Sequence, residues 1–349
     1  MSARSRRSRL ALAIALVLPI VVGCSTPAGQ APTPTPAPTA AATLAPSPTP
    51  TPLAAFPVDL TDDDGAGVTL TAQPQTIVSL TPATTEILFK LGAGARVAAT
   101  TDFDDYPPEA LGLPHVASYT AVDVEKIVGL GADLVIAGGN SFNDPAAIRQ
   151  LRDLHVPVLV VYARNLDGVL KDIELIGRAV GASDAATALT ASMEAGFQEV
   201  AAATHLLDRP RVFYELDATN GLYTAAKDSV YEEMITLAGG KPITTDSPTD
   251  FSIPLEKVIA ADPQIILLGD AAYGVTPDAV KARPGWEVMS AVKSSAIRGV
   301  NDLIITRPGP RLVDGLRELA RAIHPEATIP SPEPTTAPAV PASPAASAS

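Results

Sequence analysis

Apolar positions fall into three regimes along the 349-residue chain. A continuous apolar run fills residues 10–22, residues 25–57 show no apolar period, and from there to about residue 325 short branched runs alternate with apolar residues three and four apart. Alternation of the last kind predicts parallel βα units, because a strand buried on both faces is apolar throughout while its crossover helix is apolar on one face. Thr76-Ile77-Val78-Ser79-Leu80 is the first such strand. Thr81-Pro82 supplies an N-cap and a first-turn proline for a helix carrying Ile87, Leu88 and Leu91, which Gly92 and Gly94 close. Further strands are predicted at residues 96–99, 134–137, 156–162, 212–216, 265–268 and 303–305.

The pattern also repeats. Glu125-Lys126-Ile127-Val128 leading into Asp133-Leu134-Val135-Ile136-Ala137-Gly138 matches Glu256-Lys257-Val258-Ile259 leading into Gln264-Ile265-Ile266-Leu267-Leu268-Gly269 at a constant offset of 131. Two similar lobes follow. Between them, residues 183–206 hold no proline and one glycine, with Leu189, Met193, Gly196, Phe197 and Val200 at helical steps. The expected fold is therefore α/β, with two lobes each built on a mainly parallel sheet flanked by helices and joined by one long rigid helix. Such a helix restricts hinge motion, so ligand capture would involve only small closure.

Composition changes the picture at both ends. Arg4, Arg6, Arg7 and Arg9 precede the apolar run, whose thirteen residues are too short to span a bilayer core of about 30 Å. Residues 1–23 therefore read as an export signal, and Arg6-Arg7 is compatible with export in the folded state. Val21 and Gly23 before Cys24, the only cysteine, resemble a bacterial lipobox, which makes Cys24 the expected lipidation site. An ordinary secretory signal beside a free buried cysteine is the alternative. Residues 24–56 form a Pro/Thr-rich stalk and residues 326–349 a Pro/Ala/Ser tail, neither able to bury a core. The intervening segments are an N-terminal lobe at 57–182, the bridging helix at 183–207 and a C-terminal lobe at 208–325. Loss of the four arginines in residues 1–23 moves the formal charge from −13 to −17. So acidic a surface argues against nucleic acid as a partner.

The segment from about residue 73 to 324 resembles the class III substrate-binding proteins of ABC importers, whose members bind cobalamin and ferric siderophores. The resemblance rests on Ile77-Val78-Ser79-Leu80-Thr81-Pro82-Ala83-Thr84-Thr85-Glu86, on Asp105-Tyr106-Pro107-Pro108-Glu109, and on Leu237-Ala238-Gly239-Gly240. It implies an extracytoplasmic monomer, held at the cell surface or in the periplasm by lipid on Cys24. Such a protein takes a metal chelate from the interlobe cleft to a permease powered by its ATPase. It implies no permanent cofactor and no catalysis.

The resemblance also implies roles for residues. Glu86 falls where the family carries a surface carboxylate that docks on permease arginines, although an acid there also complements its own helix dipole. In the second lobe the matching position holds Thr236, with Glu232 and Glu233 one helical turn earlier as substitutes, Glu233 being the assigned docking acid. Phe103, Tyr119 and Tyr223 align with aromatic ligand contacts of cobalamin binders, where flat rings pack on a macrocycle at small entropic cost. Each could instead cap a small local cluster. Arg307 aligns with a cleft-facing position suited to an amide, carboxylate or phosphate. Tyr106 is expected to pack beneath Pro107-Pro108, Trp286 to be structural, and Arg311 to be solvated or paired. Departures exist too: Leu303 stands where cobalamin binders carry an acid, with Asp302 one residue earlier, and tyrosine replaces their favoured tryptophan. A corrinoid is thus the first expectation, with a ferric siderophore or heme as alternatives.

His115, His155, His205 and His324 lack ligand spacing, so no bare-metal site is expected. A chelator satisfies its own ion, which leaves the chelate reading intact. No Gly-x-Ser-x-Gly elbow, phosphate loop or metalloprotease motif supports an extracytoplasmic enzyme. A surface-display protein that keeps the fold without transport is the remaining rival.

Overall fold

The computed structural model describes residues 56–331 apart from 120, 140 and 141. Cys24, the export signal and the stalk up to residue 55 lie outside the described residues, as does the tail from residue 332.

The first lobe holds five parallel strands: β3 (Ile77–Ser79), β4 (Val97–Thr101), β5 (His115–Ala117), β6 (Leu134–Ala137) and β7 (Val158–Val160). Their order is β5-β4-β3-β6-β7. The second lobe holds β8 (Arg211–Glu215), β9 (Lys241–Pro242), β10 (Ile265–Leu268) and β11 (Ile297–Gly299), ordered β11-β10-β8-β9 and again all parallel. In each sheet the chain departs from its first strand in both directions, so a switch point opens between β3 and β6 and another between β8 and β10. Crevices at the carboxyl ends of such strands are where open α/β sheets take ligands.

Helices α1 (Pro82–Lys90), α2 (Val124–Gly129), α3 (Pro145–Asp153) and α4 (Leu166–Val180) cover the first sheet. The second carries α6 (Val230–Leu237), α7 (Leu255–Ala261), α8 (Pro277–Lys281), α9 (Ser290–Lys293) and α10 (Leu312–Ile323). Between the lobes runs α5 (Ser183–Thr204), a single 22-residue helix. The offset of 131 has a structural meaning. α2 and α7 begin at Val124 and Leu255, and β6 and β10 begin at Leu134 and Ile265, so equivalent helix-strand units sit beside the first strand of each sheet.

One buried apolar cluster runs through both lobes, joining Ile77, Leu134 and Ile173 to Met193, Phe197 and Val200 of α5 and to Tyr214, Leu267 and Leu316 beyond. Helices approach closely along this seam. A Cβ added at Gly196 of α5 would lie 2.4 Å from Val313 Cγ1 of α10, and one at Gly177 of α4 would lie 2.4 Å from Ala186 Cβ of α5. The outer faces of the two sheets have separate cores, one around Ile127, Ile148 and Leu151 and one around Phe213, Val258 and Trp286.

Three sequence expectations need correction. Residues 303–305 are not a strand: Asp302–Ile304 is one turn of 3-10 helix, in which Asn301 Oδ1 accepts from Leu303 N at 3.2 Å and Asp302 O accepts from Ile305 N at 2.9 Å. Local side-chain and backbone acceptors outweigh the β preference of Leu-Ile-Ile. A hairpin, β1 (Val58–Thr61) and β2 (Gly67–Leu70), stands where no element was expected. Its apolar residues are few, but Leu60, Val68 and Leu70 are buried, and Asp62 is held by Arg152 at 2.6 Å. The second lobe also reaches past residue 325, because Ile329 is buried in the shared cluster.

Candidate functional site

The crevice edge of the first lobe is built by hydroxyls. Thr81 Oγ1 caps α1 by accepting from Thr84 N at 3.3 Å, and Ser79 Oγ contacts Thr84 Oγ1 at 2.6 Å and accepts from Thr85 Oγ1 at 2.8 Å. Asn143 ties this web to the next loop, accepting from Gly138 N at 2.8 Å and donating to Leu80 O at 3.1 Å. Every one of these polar groups is buried and paired, which fixes the start of α1 and with it Glu86.

Phe103 and Tyr119, on the loops after β4 and β5, stack with ring centroids 4.2 Å apart and planes 16° from parallel. Tyr119 is 76 % exposed, so the pair offers a flat apolar face to solvent. Partial desolvation raises the Tyr119 phenol pKa. Tyr273, Asp102 and Asp302 raise it further, and Arg307 opposes them. Tyr273 belongs to the other lobe, at the end of the 3-10 segment Gly269–Tyr273 after β10, and is itself 76 % exposed. Tyr273 is thus near enough to act on the Tyr119 phenol from the other lobe. Tyr273 escaped the sequence reading because Gly269-Asp270-Ala271-Ala272-Tyr273 carries no period that places its last residue.

Tyr223 behaves differently. It follows β8, bridges antiparallel to Asp217 and Ser252, and is half-buried. Among the described residues no ring contact joins it to the Phe103–Tyr119 stack.

Arg307 sits at the edge of the stack. Its Nη2 donates to Asp105 Oδ2 at 2.9 Å and to Phe103 O at 3.5 Å, its Nη1 donates to Asp105 Oδ1, and Glu86 Oε1 lies 3.6 Å away. Burial opposes its charge, yet Asp105, Glu86 and Asp104 outweigh burial and raise its pKa. Arg311 donates to Glu86 from Nε at 2.8 Å and from Nη2 at 2.5 Å, and its guanidinium lies 4.3 Å from the centroid of Tyr106. Tyr106 is thus a cation–π partner, 42 % exposed, rather than filler beneath its prolines.

Both acids expected on the surface are engaged within the protein. The Glu86 side chain is 1 % exposed, clamped between the two arginines of the other lobe. Burial pushes its carboxyl above the ordinary range while Arg311 and Arg307 pull it down. Its site at the cleft end of α1 faces the opposite lobe rather than an outer tip, which accounts for the difference. Glu233 is half-buried and accepts from Leu166 N at 2.7 Å, capping the start of α4 across the lobes. Glu232 accepts from Asp228 N at 2.5 Å, and its own N–H donates to Ser229 Oγ at 3.3 Å, so it caps its own helix.

Ion pairing also fills the switch point of the second lobe. Glu215 at the end of β8 is fully buried and takes two hydrogen bonds from Arg283, at 2.5 and 2.8 Å. Burial and the neighbouring Glu215 raise Asp270 to about 7 against the pull of Arg283. Asp302 accepts from Tyr214 Oη at 2.7 Å and from Thr306 Oγ1 at 3.0 Å, and burial nevertheless raises its pKa. Trp286 is structural, meeting Phe213 edge-on at 6.2 Å with Arg283 4.6 Å above its ring. Among the described residues no group of three or more His, Cys, Asp or Glu is arranged to hold a metal ion. No described helix is long and apolar enough to cross a membrane.

The periplasmic binding protein family model matches residues 77–302. The chain belongs to that family. It is a binding protein and not an enzyme, and it is 35 % identical over 276 residues to an uncharacterized ABC transporter substrate-binding lipoprotein, YvrC, of Bacillus subtilis, covering 78 % of this chain and 87 % of that one. It is 31 % identical over 282 residues to a cobalamin-binding protein of Halobacterium salinarum, with 77 % and 75 % covered. Among solved structures it resembles the periplasmic heme-binding protein RhuT of Roseiflexus sp. RS-1 in its apo form, at a TM-score of 0.64 and 27 % identity over 72 % of this chain and 98 % of that one.

Proposed function

We propose that this protein is the extracytoplasmic receptor of an ABC importer, tethered by lipid on Cys24, and that it carries a flat metal chelate, a corrinoid first, from the interlobe cleft to a permease and its ATPase. The observation that carries this reading is the exposed Phe103–Tyr119 stack, with Arg307 bonded to the Phe103 backbone and the exposed Tyr273 of the other lobe acting on the Tyr119 phenol. An exposed aromatic stack on a rigid scaffold suits a planar ligand, since rings add contact area with few torsions to freeze. The likeness to a cobalamin-binding protein and to a lipoprotein supports the ligand class and the tether. Tyr223 is kept in this reading as a ligand contact from the second lobe.

Heme is the second reading, favoured by the exposed phenols of Tyr119 and Tyr273, one from each lobe, either of which would suit a ferric centre. Calorimetric titration of the full chain in detergent with cyanocobalamin, cobinamide, heme and ferric siderophores tests both. One ligand is expected to bind one-to-one, to stabilise the protein by about 2.7 kcal/mol at a hundred times its Kd, and to lose about tenfold in affinity in Tyr119→Ala, the loss of one stacking partner. Absence of binding across the panel overturns the proposal.

A further inference from the structure

We infer that Asp105 is a specificity-determining residue: it occupies Arg307 in place of an anionic group of the ligand, so the cleft selects chelates that carry a carboxylate or phosphate at their rim. The inference rests on the proposed function and narrows it.

Arg307 is the buried partner of the pair and Asp105 the exposed one. The arginine side chain is 13 % exposed and is held from three sides, by Glu86 at 3.6 Å, by Phe103 O at 3.5 Å and by Asp105, whose own side chain is 45 % exposed. Asp105 can therefore turn into water with little desolvation to undo, whereas moving Arg307 would abandon a buried acid. The planar guanidinium now holds both oxygens of Asp105, and that fork accepts any carboxylate or phosphate in the same geometry.

Local charge favours exchange over simple addition. Glu86, Asp104 and Asp105 stand against Arg307 and Arg311, and Asp104 is buried with Oδ1 lacking a hydrogen-bond partner. Asp302 faces Arg307 as well, so acids already outnumber the two arginines, and a ligand carboxylate that displaces Asp105 leaves the balance as it was. A neutral amide or ester cannot make that exchange without giving up a charge-assisted pair, and it would leave Asp105 in place. Position completes the argument. Arg307 Nη2 touches the backbone of Phe103, whose ring is half of the stack, so a planar ring lying there brings its rim to the guanidinium.

The test uses ring pairs that differ only in blocked acids: heme against heme dimethyl ester, and cobyrinic acid against its heptamethyl ester, titrated into wild type, Asp105→Asn and Arg307→Gln by calorimetry. In at least one pair the acid should bind wild type about tenfold or more tighter than the ester. Asp105→Asn should tighten the acid and leave the ester unchanged, and Arg307→Gln should erase the difference. Thermal unfolding of each variant shows that it is folded. Equal affinity of acid and ester in wild type overturns this inference alone. Absence of binding by all four rings, together with silence of the wider ligand panel, overturns the proposed function and the inference with it.

Discussion

Replacing Arg311 with methionine isolates a buried ion pair between the lobes. The change keeps an apolar stem but leaves the Glu86 carboxylate, 1 % exposed, without the two hydrogen bonds at 2.8 and 2.5 Å. Removing one partner of a buried pair costs about 3–5 kcal/mol. Arg307 at 3.6 Å retains part of the compensation and the Arg311 side chain is 21 % exposed, so the lower end applies, about 3 kcal/mol with the lost contact to Tyr106 included. In thermal unfolding that corresponds to a fall in Tm of roughly 6–12 °C for a domain of this size. Glu86→Gln should cost less, about 1–2 kcal/mol, because Arg311 can rehydrate. The double variant should cost clearly less than the sum of the two, with a coupling of about 1.5 kcal/mol or more from guanidinium denaturation. The pH dependence has a fixed sign. Burial already lifts the Glu86 pKa, and Arg311 is the group that does most to hold it down. Without Arg311 the folded value rises further above its ordinary 4.5, and stability is lost as pH climbs through that interval. The deficit of Arg311→Met should therefore be greatest near pH 8 and shrink below about 4.5. A cost under about 0.5 kcal/mol, the range of an exposed pair, or full additivity in the double variant, refutes the assignment of a buried interlobe pair.

Two further outcomes follow from buried groups elsewhere. Burial, together with Asp63 on the hairpin turn, lifts Asp172 of α4 from 3.8 to about 8. A folded value above the unfolded one gives stability that is complete below about pH 4 and lost as pH rises toward 8. Asp172→Asn should thus gain on wild type between pH 5 and pH 8 in guanidinium midpoints, and parallel curves would reject the raised Asp172 pKa. Gly196→Ala should lower stability by about 1–3 kcal/mol, although alanine is the better helix former by about 1 kcal/mol, because its Cβ meets Val313 at 2.4 Å; a raised Tm would show that α5 and α10 can separate.

How much the chain revealed of itself depended on the range of the interactions involved. Buried parallel strands such as Ile265-Ile266-Leu267-Leu268 and the long helix α5 were legible because their signals are local and repeat over many residues. β5, β9 and β11 have two or three residues each, too few to carry a period, and β1–β2 exposes half of its positions. The stacking of Phe103 on Tyr119 and the approach of Tyr273 join loops 16 and more than 150 residues apart, so the residue types were visible and the geometry was not. Glu86 illustrates the limit best. Its position in the Thr-Thr-Glu run was plain, but its exposure depended on Arg307 and Arg311, more than 220 residues away.

The shared core and the arginine cluster act on the same motion. The main apolar cluster includes side chains of both lobes and of α5, so a wide hinge opening would bare area worth about 25 cal/mol per Å² on the seam where Gly196 meets Val313. At the cleft mouth the lobes meet instead through ion pairs, of which Glu86–Arg311 is buried while the acid of Asp105–Arg307 is half exposed. Under the inference above, the contact open to exchange is Asp105 on Arg307, where ligand chemistry is read. A receptor built this way discriminates by which groups can replace an internal counter-ion at its rim, and large domain closure contributes little to that choice.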